Sequence, residues 1–400
     1  VKPDSAERAV VATVALGALL APLNSTMIAV ALPRIIDAYG TSVRAAGWLV
    51  TSYLIALALV QPLTGRIGDT LGRRPPIVGG LIAFGLASVG AAFSPSFLVL
   101  VVFRVAQAVS GAIVFPNGAA LLRTALPAHR RGRGFGTLGS VLSGAAAVGP
   151  LVGGLLIALA GWRAIFWVNV PIVSAALILA WRFVPDTKGP VTPHPRAFGL
   201  SLWGRPRFAS SSAGIGFSNL AFYSLLIATP VLLARRHGWS SSEIALALAA
   251  LSAPTALLAP LGGSLSDRLG RRAPALIGNA LLTAAAVPLV LDPNVRPAAV
   301  VACLAVAGSG VGIAGASLQT AAIEAVPASL AGAAAGMYST SRYLGSIIGT
   351  IGLGSLITAH GHHGYGAVFT MVLVAGAIST AATTGLPARS PRLDEPATAI

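Results

Sequence analysis

Charge is scarce in this 400-residue chain: only 10% of its residues are Asp, Glu, Lys or Arg, and just eleven are acidic. Soluble domains carry about 25% charge, and a water-facing surface cannot be tiled without it. That shortage excludes an ordinary soluble globular protein. The single cysteine, Cys303, excludes a disulfide framework and gives no thiolate metal site. Neither His-Glu-x-x-His nor Gly-x-Ser-x-Gly occurs, and no pair of acids lies in an apolar run, so no enzyme motif is present. Lysine is almost missing too: Lys2 and Lys188 stand against twenty-five arginines. With the abundant alanine and glycine, that bias points to a GC-rich bacterial genome.

What the chain has instead is apolar length. Hydrophobic residues make up 55% and the mean hydropathy is +0.81. Runs such as Val10 to Leu32 and Ile77 to Phe93 match the roughly 20 residues a helix needs to cross a bilayer. The pattern predicts twelve transmembrane helices near 9–32, 45–64, 75–93, 96–120, 134–160, 162–184, 208–234, 242–262, 273–291, 297–322, 331–357 and 364–386. The first run is too long for a cleavable signal and reads as helix 1. Prolines inside spans (Pro22, Pro116, Pro150, Pro230) are tolerable where neighbouring helices satisfy the freed backbone groups.

The net charge of +16 would raise nucleic-acid binding on a soluble protein, but here the arginines cluster in alternate loops. With both termini inside, 19 of the 27 basic residues fall in inner loops and tails, six fall outside, and Arg104 and Arg342 lie within spans. The positive-inside rule therefore predicts cytoplasmic termini in a bacterial inner membrane. Residues 1–184 form one six-helix half and 208–386 the other, joined by a proline-rich linker over 185–207. A disordered tail is expected over 387–400.

An internal repeat is the strongest signal. Gly65-Arg-Ile-Gly-Asp69-Thr-Leu-Gly72-Arg73-Arg74 recurs 198 residues on as Gly263-Ser-Leu-Ser-Asp267-Arg-Leu-Gly270-Arg271-Arg272, with six of ten positions identical. Each copy joins the second and third helix of its half. The glycines permit a tight turn, and the acid can pair with a guanidinium or with helix N-terminal amides. A topological anchor at the lipid headgroups explains Arg73 and Arg74 alone. The recurring Asp and Gly favour a gate built on Gly65, Asp69, Gly72, Arg73, Asp267 and Arg271.

This repeat resembles motif A of the major facilitator superfamily. Further matches cover nearly the whole chain. Arg104-Val-Ala-Gln107 is similar to motif B, although Ala108 replaces the usual glycine. Gly144-Ala-Ala-Ala-Val-Gly149-Pro150-Leu-Val-Gly153-Gly154 resembles the antiporter motif of helix 5, and Trp162-Arg-Ala-Ile-Phe-Trp-Val-Asn169-Val-Pro171 resembles the helix 6 opening of drug:proton antiporters. The resemblance implies an all-α membrane fold with two six-helix halves around a central cavity. The short linker leaves no room for the two extra helices of the fourteen-helix antiporters.

Gly149 and Gly153 share a helix face on which another helix can pack, and Pro150 bends the span. On spacing alone, ordinary packing and a rocking hinge are equally good readings; the resemblance favours the second. Arg104 and Arg342 are intramembrane charges and hence functional candidates. Snorkelling is the bland alternative for Arg104, and the resemblance ties that residue to proton coupling. In helix 1, Leu23-Asn24-Ser25-Thr26 resembles the antiporter signature, but Asn24 stands where that signature has an aspartate. All eleven acids fall in loops, tails or helix ends, which leaves Glu324 and Asp69 as fallback coupling groups.

Asn24, Gln107, Asn117, Asn219, Tyr223, Gln319 and Tyr338 are the polar residues expected along the cavity, though each alone is more often an interhelical hydrogen bond. Their character suits an amphiphilic, cationic or neutral ligand. The expected function is export of small amphiphiles by proton-coupled alternating access. The runner-up is transport of a specific metabolite or a lipid with weak or no proton coupling. Expected partners are a small-molecule substrate, protons and the bilayer, acting on a monomer without cofactor, metal or nucleic acid. Gly310-Val-Gly312-Ile-Ala-Gly315 spells a dinucleotide fingerprint, but inside an apolar span it reads as helix packing.

Overall fold

The computed structural model describes residues 3–126, 128–184, 199–292, 296–327, 330–360 and 364–388. Twelve long helices dominate them: α1 (Pro3–Tyr39), α2 (Trp48–Leu71), α3 (Arg74–Ala92), α4 (Phe97–Ala125), α5 (Ala128–Ala160) and α6 (Asn169–Phe183) form the first half. The second half comprises α7 (Pro206–His237), α8 (Ser241–Leu269), α9 (Arg272–Leu291), α10 (Pro297–Glu324), α11 (Ala331–His360) and α12 (Gly364–Thr383). Single turns at Val43–Ala46 and Ala164–Trp167 lead into α2 and α6. No strand occurs among the described residues.

Eleven of the described helices are long and apolar enough to cross a membrane. The remaining one, α11, has 30 residues, but Tyr338, Arg342, Tyr343 and several Ser and Thr lower its hydropathy. Helices run past the predicted spans at their ends; α1 starts at Pro3 and α8 ends at Leu269. Backbone hydrogen bonding continues into the interfacial region once the core-crossing turns are fixed. Most of the linker lies outside the described residues; its last part, Gly199–Gly204, is a 3-10 turn. The expected tail falls outside them as well, apart from its first two residues.

Small residues set how closely helices approach. A methyl on Gly149 would overlap the Thr26 hydroxyl, and one on Gly153 would stand 3.2 Å from the Met27 Cα. These two glycines thus seat α5 on α1 of the same half, not on the opposite half. The glycine that meets the other half is Gly154, whose added methyl would overlap the Ala245 side chain and lie 3.2 Å from the Ser241 carbonyl of α8. The second half repeats the seam: a methyl on Gly345 would overlap the Gly216 carbonyl, and one on Gly349 would lie 2.6 Å from that of Leu220. Gly310 and Gly312 likewise abut backbone of α9 and α8, as the packing reading of their motif requires.

The apolar core is divided unevenly along the helices. Let the terminal face be the one where α1 begins. Toward the opposite, far face, one cluster unites both halves: Met27 to Ile36 with Leu225 to Leu233, Leu248 and Leu353. Toward the terminal face the halves keep separate cores. Val10, Val14, Leu81 and Leu121 serve the first; Phe208, Ile215, Ala275 and Leu318 serve the second. The two halves are thus sealed together at the far face and separate toward the terminal one.

Candidate functional site

Polar residues buried in an apolar bundle must find partners, because an unsatisfied group loses its water without compensation. In the first half they find one another. Asn24 and Asn169 exchange amide hydrogen bonds at 2.8 and 3.1 Å, joining α1 to α6. Asn169 also donates to the Ser88 hydroxyl of α3 at 3.3 Å, and Gln107 of α4 donates to the same oxygen at 2.7 Å. The Gln107 carbonyl oxygen accepts from Arg104 Nη1 at 2.9 Å. Arg104 Cζ lies 4.3 Å from the ring centroid of Tyr53 in α2, a close cation–π contact. Five helices of one half are therefore tied through a single buried chain.

All six members of that chain are buried. Asn24 and Gln107, expected to face the cavity, are closed off from it in this structure because their amides are spent on neighbouring helices. Arg104 does not snorkel; it points to a polar partner and an aromatic ring. Its Nε and the Tyr53 hydroxyl find no partner in the structure. Asn169, Ser88 and Tyr53 escaped the sequence reading. A lone amide or hydroxyl in an apolar span is a visible signal, but only the fold tells which of them meet.

Asn117, expected along the cavity, is also buried, and it bonds to the first copy of the repeated motif. Its Oδ1 accepts from Arg73 at 3.1 Å, and its Nδ2 donates to the Thr64 carbonyl at 3.2 Å. Gly72 and Gly270 end α2 and α8 with φ of 88° and 85°, a left-handed region glycine enters without strain. The two repeat copies thus make the same turn. The side chains of Gly65 and Asp69 lie outside the described residues. In the second copy Arg271 forms bonds to Glu324 at 2.7 and 3.0 Å, to Asp267 at 2.9 Å and to Ser266 at 3.0 Å. The Glu324 carboxylate, and then Asp267, hold the guanidinium above its ordinary pKa. Glu324, expected in coupling, is thereby paired with the second copy of the motif.

The second half places its polar groups differently. Arg342 and Gln319 are exposed, and Asn219, Tyr223 and Tyr343 are half-buried. Arg342 Cζ lies 5.3 Å from the Tyr343 ring centroid. The Tyr343 hydroxyl donates to Gln61 Oε1 of α2 at 3.1 Å, bridging the halves. Tyr223 of α7 neighbours Ser25, Arg342 and Tyr343. Tyr338 departs from expectation, since it is buried in the core of its own half.

Two repeated six-helix halves, with apolar cores joined at one face and separate toward the other, have the architecture of a multi-pass membrane transporter. The chain belongs to the Major Facilitator Superfamily, whose family model matches residues 14–350 and again 208–399. It is 29% identical to the MFS-type transporter YvkA of Bacillus subtilis (strain 168), over 95% of this chain and 96% of that protein. It is also 29% identical to multidrug resistance protein Stp of Mycobacterium tuberculosis, over 86% of this chain and 74% of that one. Its fold matches that of a bacterial homolog of the human lysosomal transporter Spinster, in an inward-facing and unoccupied conformation. The TM-score is 0.80 and the identity 20%, covering 96% of this chain and 98% of the other.

Proposed function

We propose that this protein exports small amphiphilic compounds across a bacterial inner membrane by alternating access. The carrying observation is the divided core: one apolar seal joins the halves at the far face, while Arg342 and Gln319 stand exposed between separate cores. With the basic loops taken as cytoplasmic under the positive-inside rule, this conformation opens inward and loads from the cell interior. Gly154 against α8 and Gly149 and Gly153 against α1 give α5 the smooth surfaces a rocking motion uses. The likeness to a multidrug resistance protein supports efflux as the direction. Everted membrane vesicles carrying the protein are expected to accumulate fluorescent amphiphiles above vesicles that lack it. Equal accumulation in both would overturn the reading.

Proton coupling is weak in this reading, because none of the described acids (Glu7, Asp37, Glu243, Asp267, Asp292 and Glu324) is buried. Asn24 occupies the place where a titrating carboxylate would join the chain to Arg104. Asn24→Asp is expected to increase the dependence of flux in proteoliposomes on an imposed pH gradient. Strong gradient dependence in the unmodified protein would refute this.

A further inference from the structure

Four of the chain's six tyrosines gather near its two intramembrane arginines. Tyr53 carries the buried Arg104 on its ring and has Tyr223 and Tyr343 as neighbours. Those two in turn neighbour Arg342, as does Tyr338. Tyr343, whose ring lies under Arg342, packs against the cluster that holds Tyr53, so the two arginine-bearing tyrosines approach each other across the boundary between halves. Of the two arginines, Arg104 is buried and Arg342 is exposed.

A cation at membrane depth needs a counter-charge, and the usual one is a nearby carboxylate. No described acid supplies it. Glu324 and Asp267 are bound to Arg271; Asp37, Glu243 and Asp292 sit at or just beyond helix ends; and Glu7 lies in the second turn of α1. The tyrosine rings offer partial negative charge but no full compensation. The Tyr343 hydroxyl is directed to Gln61 and so adds a dipole rather than an anion. The charge of Arg342 is thus without a described carboxylate to neutralise it.

We infer that Arg342, with Tyr223 and Tyr343, is a binding site for the anionic group of an aromatic amphiphile. The fork of the guanidinium suits a carboxylate, sulfonate or phenolate, and the tyrosine rings suit a flat apolar skeleton. A cationic ligand would meet like charge from Arg342 and, behind Tyr53, from Arg104. Where the sequence suggested an amphiphilic, cationic or neutral ligand, this site favours an anionic one. The inference rests on the export reading above and names its substrate class.

Two dyes with one xanthene skeleton and opposite charge test it: fluorescein, anionic, and rhodamine 123, cationic. Equilibrium binding to the purified protein, measured by fluorescence anisotropy without any gradient, should favour fluorescein. Arg342→Gln should weaken fluorescein binding about tenfold, about 1.4 kcal/mol, and shift the preference toward rhodamine 123. Arg342→Lys should restore part of the affinity. Size-exclusion profiles and melting temperatures establish that each variant is folded. A preference for rhodamine 123 in the unmodified protein, or fluorescein binding unaltered in a folded Arg342→Gln, would overturn the anion site. Arg342-dependent binding without accumulation of either dye in everted vesicles would sustain the site and sink export. Accumulation of both dyes regardless of residue 342 would do the reverse.

Discussion

In the N-terminal half the intramembrane arginine is buried inside a hydrogen-bonded chain, whereas in the C-terminal half it stands open between the halves. Arg104 is held by Gln107 and Tyr53, and through Ser88 and Asn169 it reaches Asn24. Arg342 has tyrosines around it and an accessible face. Two halves built on one repeat have therefore divided the work. A closed polar network ties five helices of the first half to one another. In the proposed anion site, the exposed cluster gives the second half the surface that a ligand touches.

The largest expected effect probes the seam both halves share. Gly345→Ala puts a methyl into the Gly216 carbonyl, and backbone cannot yield as a side chain can. Gly149→Ala meets chiefly the Thr26 hydroxyl, which can rotate away. Gly345→Ala should lose most folded protein on size exclusion, while Gly149→Ala should melt only slightly below the parent. Equal losses would break the distinction between the two seams.

Next comes the buried arginine itself. Arg104 lies in the bundle without a described carboxylate, a desolvation cost of several kcal/mol. Against this, removing it orphans the Gln107 carbonyl oxygen, worth about 1–3 kcal/mol. Arg104→Met should therefore keep or raise the melting temperature while cutting transport by at least about tenfold. A large fall in melting temperature would instead make Arg104 a structural brace.

The smallest effect is expected at the bridge between the halves. Tyr343→Phe removes the hydrogen bond to Gln61, worth about 0.5–1.5 kcal/mol. The balance of conformations should shift by a few-fold, read as altered cysteine accessibility at positions introduced along the far-face seal. No shift would mean that the apolar seal alone holds the halves together.

Much of this was legible beforehand. Span positions followed from apolar length, and the motif turn followed from Gly72 and Gly270, which take the positive φ that the corner needs. The charge pairing at the second motif copy was legible in part: Arg271 and Asp267 do pair, but Glu324 joins them from α10, 53 residues on from Arg271. Asn169 sat inside a motif without attracting notice, because nothing local marks an amide as the partner of Asn24, 145 residues away.

The sequence by itself determined that the chain crosses a membrane in two repeated halves, since hydropathy, charge placement and an internal repeat are properties of the chain read in order. Only the tertiary structure decided which polar residues are spent inside the bundle and which stay exposed. Helix periodicity gives every span a polar side, but its partner comes from how helices are packed and rotated against each other. That rotation is fixed by close glycine contacts between distant helices. It hides Asn24 and Gln107 and leaves Arg342 in the open.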